Sequence, residues 1–367
     1  MVDTAVISNG LDGIVVAETR ISEVDGAKGK LIICGHDSEE LAFNSTFEQT
    51  CALLWTTGGS EPASEAALEE KFGEGRLEAY ELLKKNPFVL RQNHPMDALR
   101  SASSLMSSGT QIDWAEYARI TAAQAVFAAN WSRVHRGLEL KSPDAGLSHS
   151  ADFLRLLNDK TPSKADSDAL DIYWTTISDH ALNASTFTAR VVASTESDNI
   201  SAIVAAIGAL KGPLHGGAPG PVLEMLNAIG KPENAESWIR NSIDSGKRIM
   251  GMGHRIYKVR DPRAAIFEKA IRQLEASGAP ASRLSLARAV ESQAEKILAE
   301  KHPDHPLKAN VEFYTAVLLD AIHIPDHLFS SMFAAGRVGG WLAHIAEQRL
   351  HGRLIRPASR YTGPMPR

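Results

Sequence analysis

Cysteine is nearly absent from this chain, and that already excludes a good deal. Two thiols, Cys34 and Cys51, cannot make a disulfide framework or a CxxC metal site, and they fit a reducing compartment. No apolar run approaches the roughly 18 residues of a membrane span. A basic surplus is missing too: the net charge is −5, which argues against nucleic-acid binding through a general basic surface. Met1-Val2-Asp3 opens without a basic stretch and apolar run, and no Arg-rich, acid-poor leader follows, so a cytoplasmic location is expected. HExxH, GxSxG, a P-loop and a strand-borne GxGxxG are all missing, which removes zincins, serine hydrolases of the elbow type and nucleotide-phosphate folds. Thirteen histidines raise the question of a metal. However, His302 and His305 flank Pro-Asp, and His323 and His327 bracket Pro325, so no clean helical pair forms and no metal is expected.

What the chain does have is helical periodicity. At 367 residues it can bury a large core, and two lobes are expected. Short β-prone runs, Ile14–Ala17 and Leu31–Cys34, are joined through the turn-rich Asp25–Gly29. Ser45, three residues before Glu48, reads as a capping box opening a helix that runs to Gly58-Gly59. Beyond it, spacings of three and four predict helices near 64–85, 97–108, 113–136, 151–158, 166–182, 199–210, 221–229, 235–245, 262–276, 283–300, 310–322 and 327–349. The fold class is therefore mostly α, with a few short N-terminal strands.

Four stretches interrupt this pattern by setting polar groups beside glycines or other helix breakers. They are Ser178–Asn183 with His180, Gly212–Gly220 with His215, Gly251–Arg263 with His254, and Asn310–Tyr314 with Glu312. Taken singly each has a plain structural reading. His180 reads as a buried, satisfied histidine, His215 as a cap for the next helix, and Glu312 as an acid at a helix N-terminus. Together they supply a carboxylate, imidazoles and several arginines. That set suits proton removal beside a carbonyl, with the oxygen of the resulting enol or enolate held by imidazole.

With these motifs in order, the chain resembles the citrate synthases. Gly10-Leu11-Asp12-Gly13, His94-Pro95-Met96-Asp97, Asp179-His180 with Asn183-Ala184-Ser185-Thr186, Leu214-His215-Gly216-Gly217, Gly253-His254-Arg255 to Asp261-Pro262-Arg263, Asn310-Val311-Glu312, and Leu354-Ile355-Arg356-Pro357 follow the family's sequence over essentially the whole length. The resemblance implies Glu312 as the base on acetyl-CoA, His215 on the enolate oxygen and His254 at the oxaloacetate carbonyl. It further implies oxaloacetate binding by His180, Arg263, Arg337 and Arg356, the last reaching the partner's site in a homodimer, and a CoA-phosphate contact by Lys258. CoA enters as a thioester substrate, with no permanently bound cofactor. The implied fold has a large helical domain over 1–215 and 318–367 and a small domain over 216–317 that closes on the site.

Three positions depart from the family pattern. Glu312 stands where Asp is usual, and Ile177 and Ala181 stand where many relatives have His and Glu. The extra methylene at 312 matters because about 1 Å of misplacement can cost ~10²-fold in rate. The changes beside His180 bear on the oxoacid pocket. Two alternatives accompany the expected citrate synthase activity: a 2-methylcitrate synthase using propionyl-CoA, and a catalytically impaired relative that binds CoA or oxoacids.

Overall fold

The computed structural model describes residues 9–11, 13–216, 219–254, 256–257, 259–279, 283–301 and 307–366. Its one sheet among these residues is small and antiparallel, in the order β1 (Ser22–Asp25), β2 (Lys30–Ile33), β3 (His36–Asp37), with Ser22 opposite Ile33 and Asp25 opposite Lys30. The Asp25–Gly29 turn lies where the sequence places it. Ile14–Ala17 is not a strand, because among the described residues no strand pairs with it; Ile14 and Val16 instead line a cleft described below.

Helices make up the rest. The first group is α1 (Ser38–Asn44), α2 (Phe47–Thr57), α3 (Glu65–Lys85), α4 (Pro95–Ser103) and α5 (Trp114–His135). Next come α6 (His149–Asn158), α7 (Lys164–Ile177), α8 (Ala184–Ala193) and α9 (Asn199–Leu210). The last are α10 (Pro219–Ile229), α11 (Ala235–Asp244), α12 (Pro262–Ala276), α13 (Leu284–Lys301), α14 (Val311–Ala321) and α15 (Phe329–His351). The mostly helical architecture expected from periodicity is observed, with α1 and α8 added and α7 ending at Ile177 rather than near 182. The capping box of α2 is Thr46 with Gln49, one residue later than the Ser45–Glu48 reading. Glu48 is unavailable for it because its carboxylate is buried and accepts the backbone N–H of His149 at 2.7 Å.

α5 and α15 run through the interior. α5 is buried from Tyr117 to Arg133 except at Arg119, and its many alanines let α3 pack closely along it. α15 presents Gly336, Gly339 and Gly340 to its neighbours. A Cβ at Gly336 would meet Trp174 at 2.6 Å, one at Gly339 would meet Cys51 Sγ at 2.6 Å, and one at Gly340 would collide with the carbonyl oxygen of Ser178. This glycine face brings the segment that follows α7, and with it His180, hard against α15. No helix among the described residues is long and apolar enough to cross a membrane.

Candidate active site

The Gly251–Arg263 stretch is held by a short antiparallel crossing with the chain before α14. Met252 bridges Ala309, Gly253 N donates to Lys308 O at 2.7 Å, and Asn310 N donates to Gly251 O at 2.9 Å. Gly251 and Gly253 both have left-handed φ, 74° and 90°, and a Cβ on Gly251 would stand 2.9 Å from Phe313. Those are positions only glycine fills without strain. Asn310 completes the join: its Nδ2 donates to Gly253 O at 2.9 Å while its Oδ1 accepts from Glu312 N at 3.1 Å, capping α14. One residue past Gly253 stands His254 and two past Asn310 stands Glu312, on segments fixed to each other.

Asp261 ties the same region together from beneath. It is fully buried, and its carboxylate receives Arg263 Nε at 3.0 Å and a second guanidinium nitrogen at 2.7 Å. It also caps α12 through Arg263 N at 3.0 Å and accepts from Val311 N, at the start of α14, at 3.2 Å. One carboxylate therefore sets both Arg263 and the helix bearing Glu312.

Each imidazole is held at one nitrogen by a protein group. His254 Nδ1 accepts from the backbone N–H of Ile256 at 3.0 Å and of Tyr257 at 3.1 Å, so the neutral ring carries its proton on Nε2. His215 Nε2 accepts from Ser185 N at 3.3 Å and lies 2.8 Å from Ser185 Oγ, which puts the neutral ring's proton on Nδ1. Ser185 is in turn held by Trp341 Nε1 at 3.2 Å and Asn183 Oδ1 at 2.8 Å. His215 thus bonds to the start of α8 rather than capping α10. His180 is buried, and its Nε2 lies 3.2 Å from the Tyr257 hydroxyl. Ala181, just after it, is forced to φ 49° and is kept there by bonds from its N–H to Ser22 Oγ at 2.8 Å and Asp179 Oδ2 at 3.1 Å.

Electrostatics keep these groups in useful states. Burial, then Arg337, pushes His215 down to about 4, and burial with Arg263 and Arg337 pushes His180 well below its ordinary value, so both rings are neutral near pH 7. Burial raises Glu312 to about 7, against the pull of Arg263 and with a push from Asp261. That places a carboxyl where it can both take and give a proton near neutrality. Arg337 is buried and lowered to about 10 by burial and by Arg263, which leaves it charged at neutral pH. Its Nε donates to Ile177 O at 2.5 Å, but its Nη2 has no hydrogen-bond partner among the described residues. An unspent buried guanidinium donor is a place for an anionic oxygen.

His180, His215, His254, Arg263, Glu312 and Arg337 all line one cleft of about 980 Å³, closed on its other walls by Ile14, Val16, Phe187 and Phe333. Six of the eight residues singled out in the sequence are therefore brought together. Arg356 is not: it lies exposed in the tail after α15, where the neighbouring Ile355 N–H bonds to Ser194 Oγ at 3.0 Å. Lys258 lies outside the described residues, as do Arg255, Gly217, His302 and His305. Ile177 and Ala181 do not line the cleft; Ile177 is core, packed on Gly336. Sequence reasoning missed Asp261, Tyr257 and Ser185 as members of the site, although all three lie within the quoted motifs. A second cleft of about 550 Å³ shares Gly253 and His254 with the first and carries Lys247, Arg248 and an apolar floor of Ile249, Leu298 and Leu307. No group of three or more His, Cys, Asp or Glu among the described residues is placed to share a metal ion.

Comparison with known proteins points one way. The family described as citrate synthase, C-terminal domain, matches residues 10–358. The citrate synthase of Haloferax volcanii is 36% identical over 376 residues, covering 97% of this chain and 96% of that protein. Citrate synthase 2 of Bacillus subtilis is 36% identical over 366 residues, with 97% and 96% covered. Among solved structures, citrate synthase from Thermotoga maritima superposes with a TM-score of 0.82 at 32% identity, over 98% of this chain and 97% of that one. Citrate synthase from Thermoplasma acidophilum, solved as a ternary complex with carboxymethyl coenzyme A and oxaloacetate, gives 0.83 at 28% identity, over 98% and 97%.

Proposed function

The chain belongs to the citrate synthase family, and we propose that it condenses acetyl-CoA with oxaloacetate and hydrolyses the resulting thioester to citrate and CoA. The single observation that carries this reading is the convergence of Glu312, His215, His254, His180, Arg263 and Arg337 on one cleft. Glu312 takes a proton from the acetyl methyl group, and the Nδ1–H of His215 holds the thioester oxygen as it gains enolate character. The enolate carbon then bonds to the keto carbon of oxaloacetate, whose oxygen gains a proton from His254. Water finally cleaves the thioester, releasing CoA. Oxaloacetate carries two carboxylates and a keto oxygen, acceptors throughout; Arg263, Arg337 and the N–H groups of His180 and His254 supply donors.

The thioester partner fits the second cleft, where Lys247 and Arg248 suit phosphate and the apolar floor suits a base, with His254 at the boundary between the two. Residues 216–317 form the small domain in this reading, and His215 and Glu312 stand at or near its edges. Closure about those edges then assembles the site and excludes water. Arg356, exposed and away from its own chain's cleft, reaches the partner's site in a homodimer, and Lys258 contacts CoA phosphate. Two unpaired cysteines fit a cytoplasmic enzyme.

The relatives do not specifically favour the propionyl-CoA alternative. A single methylene in an apolar pocket is worth only ~1–3 kcal/mol, so the two activities overlap in principle. Steady-state assays with both thioesters test the assignment. Acetyl-CoA is expected to give the larger kcat/KM; a preference of roughly tenfold or more for propionyl-CoA reassigns the protein as a 2-methylcitrate synthase. No turnover with either, in a folded protein, makes it an impaired relative.

A further inference from the structure

Tyr257 is buried, yet it stands outside the contiguous apolar core. Its ring lies instead among polar groups: His254 at 4.8 Å, His180 at 5.7 Å and the guanidinium of Arg263 5.9 Å from its centre. It does not line the cleft; the two histidines in front of it do. A buried phenol needs an acceptor for its proton. Among the described residues the Tyr257 hydroxyl has one hydrogen-bond partner, His180 Nε2 at 3.2 Å. Burial raises the phenol well above its ordinary range, so it keeps its proton at working pH and is the donor in this pair. Nε2 of His180 therefore accepts, and the neutral ring carries its proton on Nδ1. The backbone N–H of the same tyrosine donates to His254 Nδ1 at 3.1 Å, which puts that ring's proton on Nε2.

We infer that Tyr257 is a positioning residue that sets the tautomers of both oxoacid-facing histidines, His180 through its phenol and His254 through its backbone. The inference rests on the oxaloacetate reading of the cleft for its consequence, though not for its geometry. An oxoacid dianion offers only acceptors, so an imidazole that turns a lone pair toward it repels where it should donate. A partner behind each ring prevents that, as the orienting group behind a metal-bound or catalytic imidazole does. This also gives a physical meaning to the residues flanking His180. Ile177 and Ala181 offer no polar side chain, so the orienting contact comes from 77 residues away in sequence.

Tyr257→Phe removes the phenol and leaves both the ring and the backbone N–H. Imidazole-nitrogen NMR on isotope-labelled histidine, with the His180 signals assigned by their loss in His180→Asn, reads the tautomers in the ligand-free enzyme. The wild type is expected to show His180 protonated on Nδ1. In Tyr257→Phe that signature gives way to a mixture while the His254 signature stays. KM for oxaloacetate rises roughly five- to tenfold, the worth of one lost hydrogen bond, with KM for acetyl-CoA unchanged. In a His180→Asn background the same substitution adds nothing further. Wild-type His180 protonated on Nε2, an unchanged His180 signature in the variant, or a KM change that persists in the double variant would each overturn the inference. Failure of the wild type to form citrate sinks the functional reading instead and leaves the tautomer measurement standing.

Discussion

Around His149 and around His215 the chain buries the same kinds of side chain, and only one of the two places lines the cleft proposed as the reaction site. His149 is fully buried among Phe47, Phe72 and Trp174, with ring centroids 5.8, 5.2 and 5.1 Å away. Burial and the nearby Arg76 hold it neutral. Beside it, Arg76 pairs with Asp152 at 2.9 Å, and Glu48 receives the His149 N–H. Asp171 takes Ser150 Oγ at 2.6 Å and Phe47 N at 3.2 Å. Burial, with Glu48 adding to it, raises Asp171 to about 7, close to the value Glu312 reaches. A neutral histidine and a raised carboxyl are therefore not sufficient signs of catalysis.

What separates the two clusters is unspent capacity and access. In the interior cluster the arginine is spent on an aspartate, and neither imidazole nitrogen of His149 has a hydrogen-bond partner among the described residues. In the cleft each of the three rings is held at one nitrogen by a protein donor, so the position of its proton is defined. Arg337 keeps an unfilled Nη2, and the whole set opens on about 980 Å³. Orientation from behind and access in front set the second cluster apart.

The comparison breaks hardest at Glu312. Glu312→Gln is expected to lower kcat by roughly 10²–10⁴-fold while oxaloacetate binding, followed by calorimetry, stays nearly intact; loss of binding would show that Glu312 is structural. Its value of about 7 also fixes a pH dependence. In the free enzyme kcat/KM for acetyl-CoA should fall on the acid side of about pH 7, as the base becomes protonated. The sign for stability runs the other way. Glu312 binds its proton more tightly folded than unfolded, so its stabilising contribution is fully present below the ordinary carboxyl range and is lost as pH rises through about 7. The Gln variant should melt higher than wild type near pH 8 and no higher at about pH 4. An acid limb at the ordinary Glu value would contradict the environment assigned to this side chain.

Asp261 tests whether the cleft depends on its buried clamp. Asp261→Asn leaves the Arg263 charge buried without its partner, and breaking such a pair costs about 3–5 kcal/mol. Urea unfolding should register that loss, and oxaloacetate affinity should fall with it. Unchanged stability would mean that Arg263 finds another partner and that the clamp is dispensable.

The smallest effect is expected in the interior. His149→Phe replaces a ring whose two nitrogens find no partner among the described residues with an apolar one in an aromatic surround. Turnover should stay within about twofold, and stability should change by less than about 1 kcal/mol. A tenfold loss of turnover would erase the distinction between the two clusters.

Much of the architecture is legible in the chain because amphipathic spacing is a local property. α3, α5, α9 and α13 lie within a residue or so of where that spacing puts them. α8 escapes it because Ala-Ser-Thr-Phe-Thr-Ala-Arg mixes small, polar and apolar residues without a clear face. The two candidate capping boxes before α2, Ser45–Glu48 and Thr46–Gln49, are equivalent as patterns. The choice between them falls to His149, about a hundred residues on, whose N–H occupies the carboxylate of Glu48.

The sequence by itself determined the chemistry available: three imidazoles, a carboxylate and arginines, each set beside a breaker of regular structure. Only the tertiary structure decided which of these meet, because the contacts that orient them span large separations. Ser185 reaches His215 across 30 residues, Tyr257 reaches His180 across 77, and Ser22 reaches Asp179 across 157. Proton affinities follow the same rule. Burial, with Asp261, raises Glu312 against the pull of Arg263; burial with Arg263 and Arg337 lowers His180, and burial with Arg337 lowers His215. Neither burial nor a neighbour across the fold is a property of local sequence.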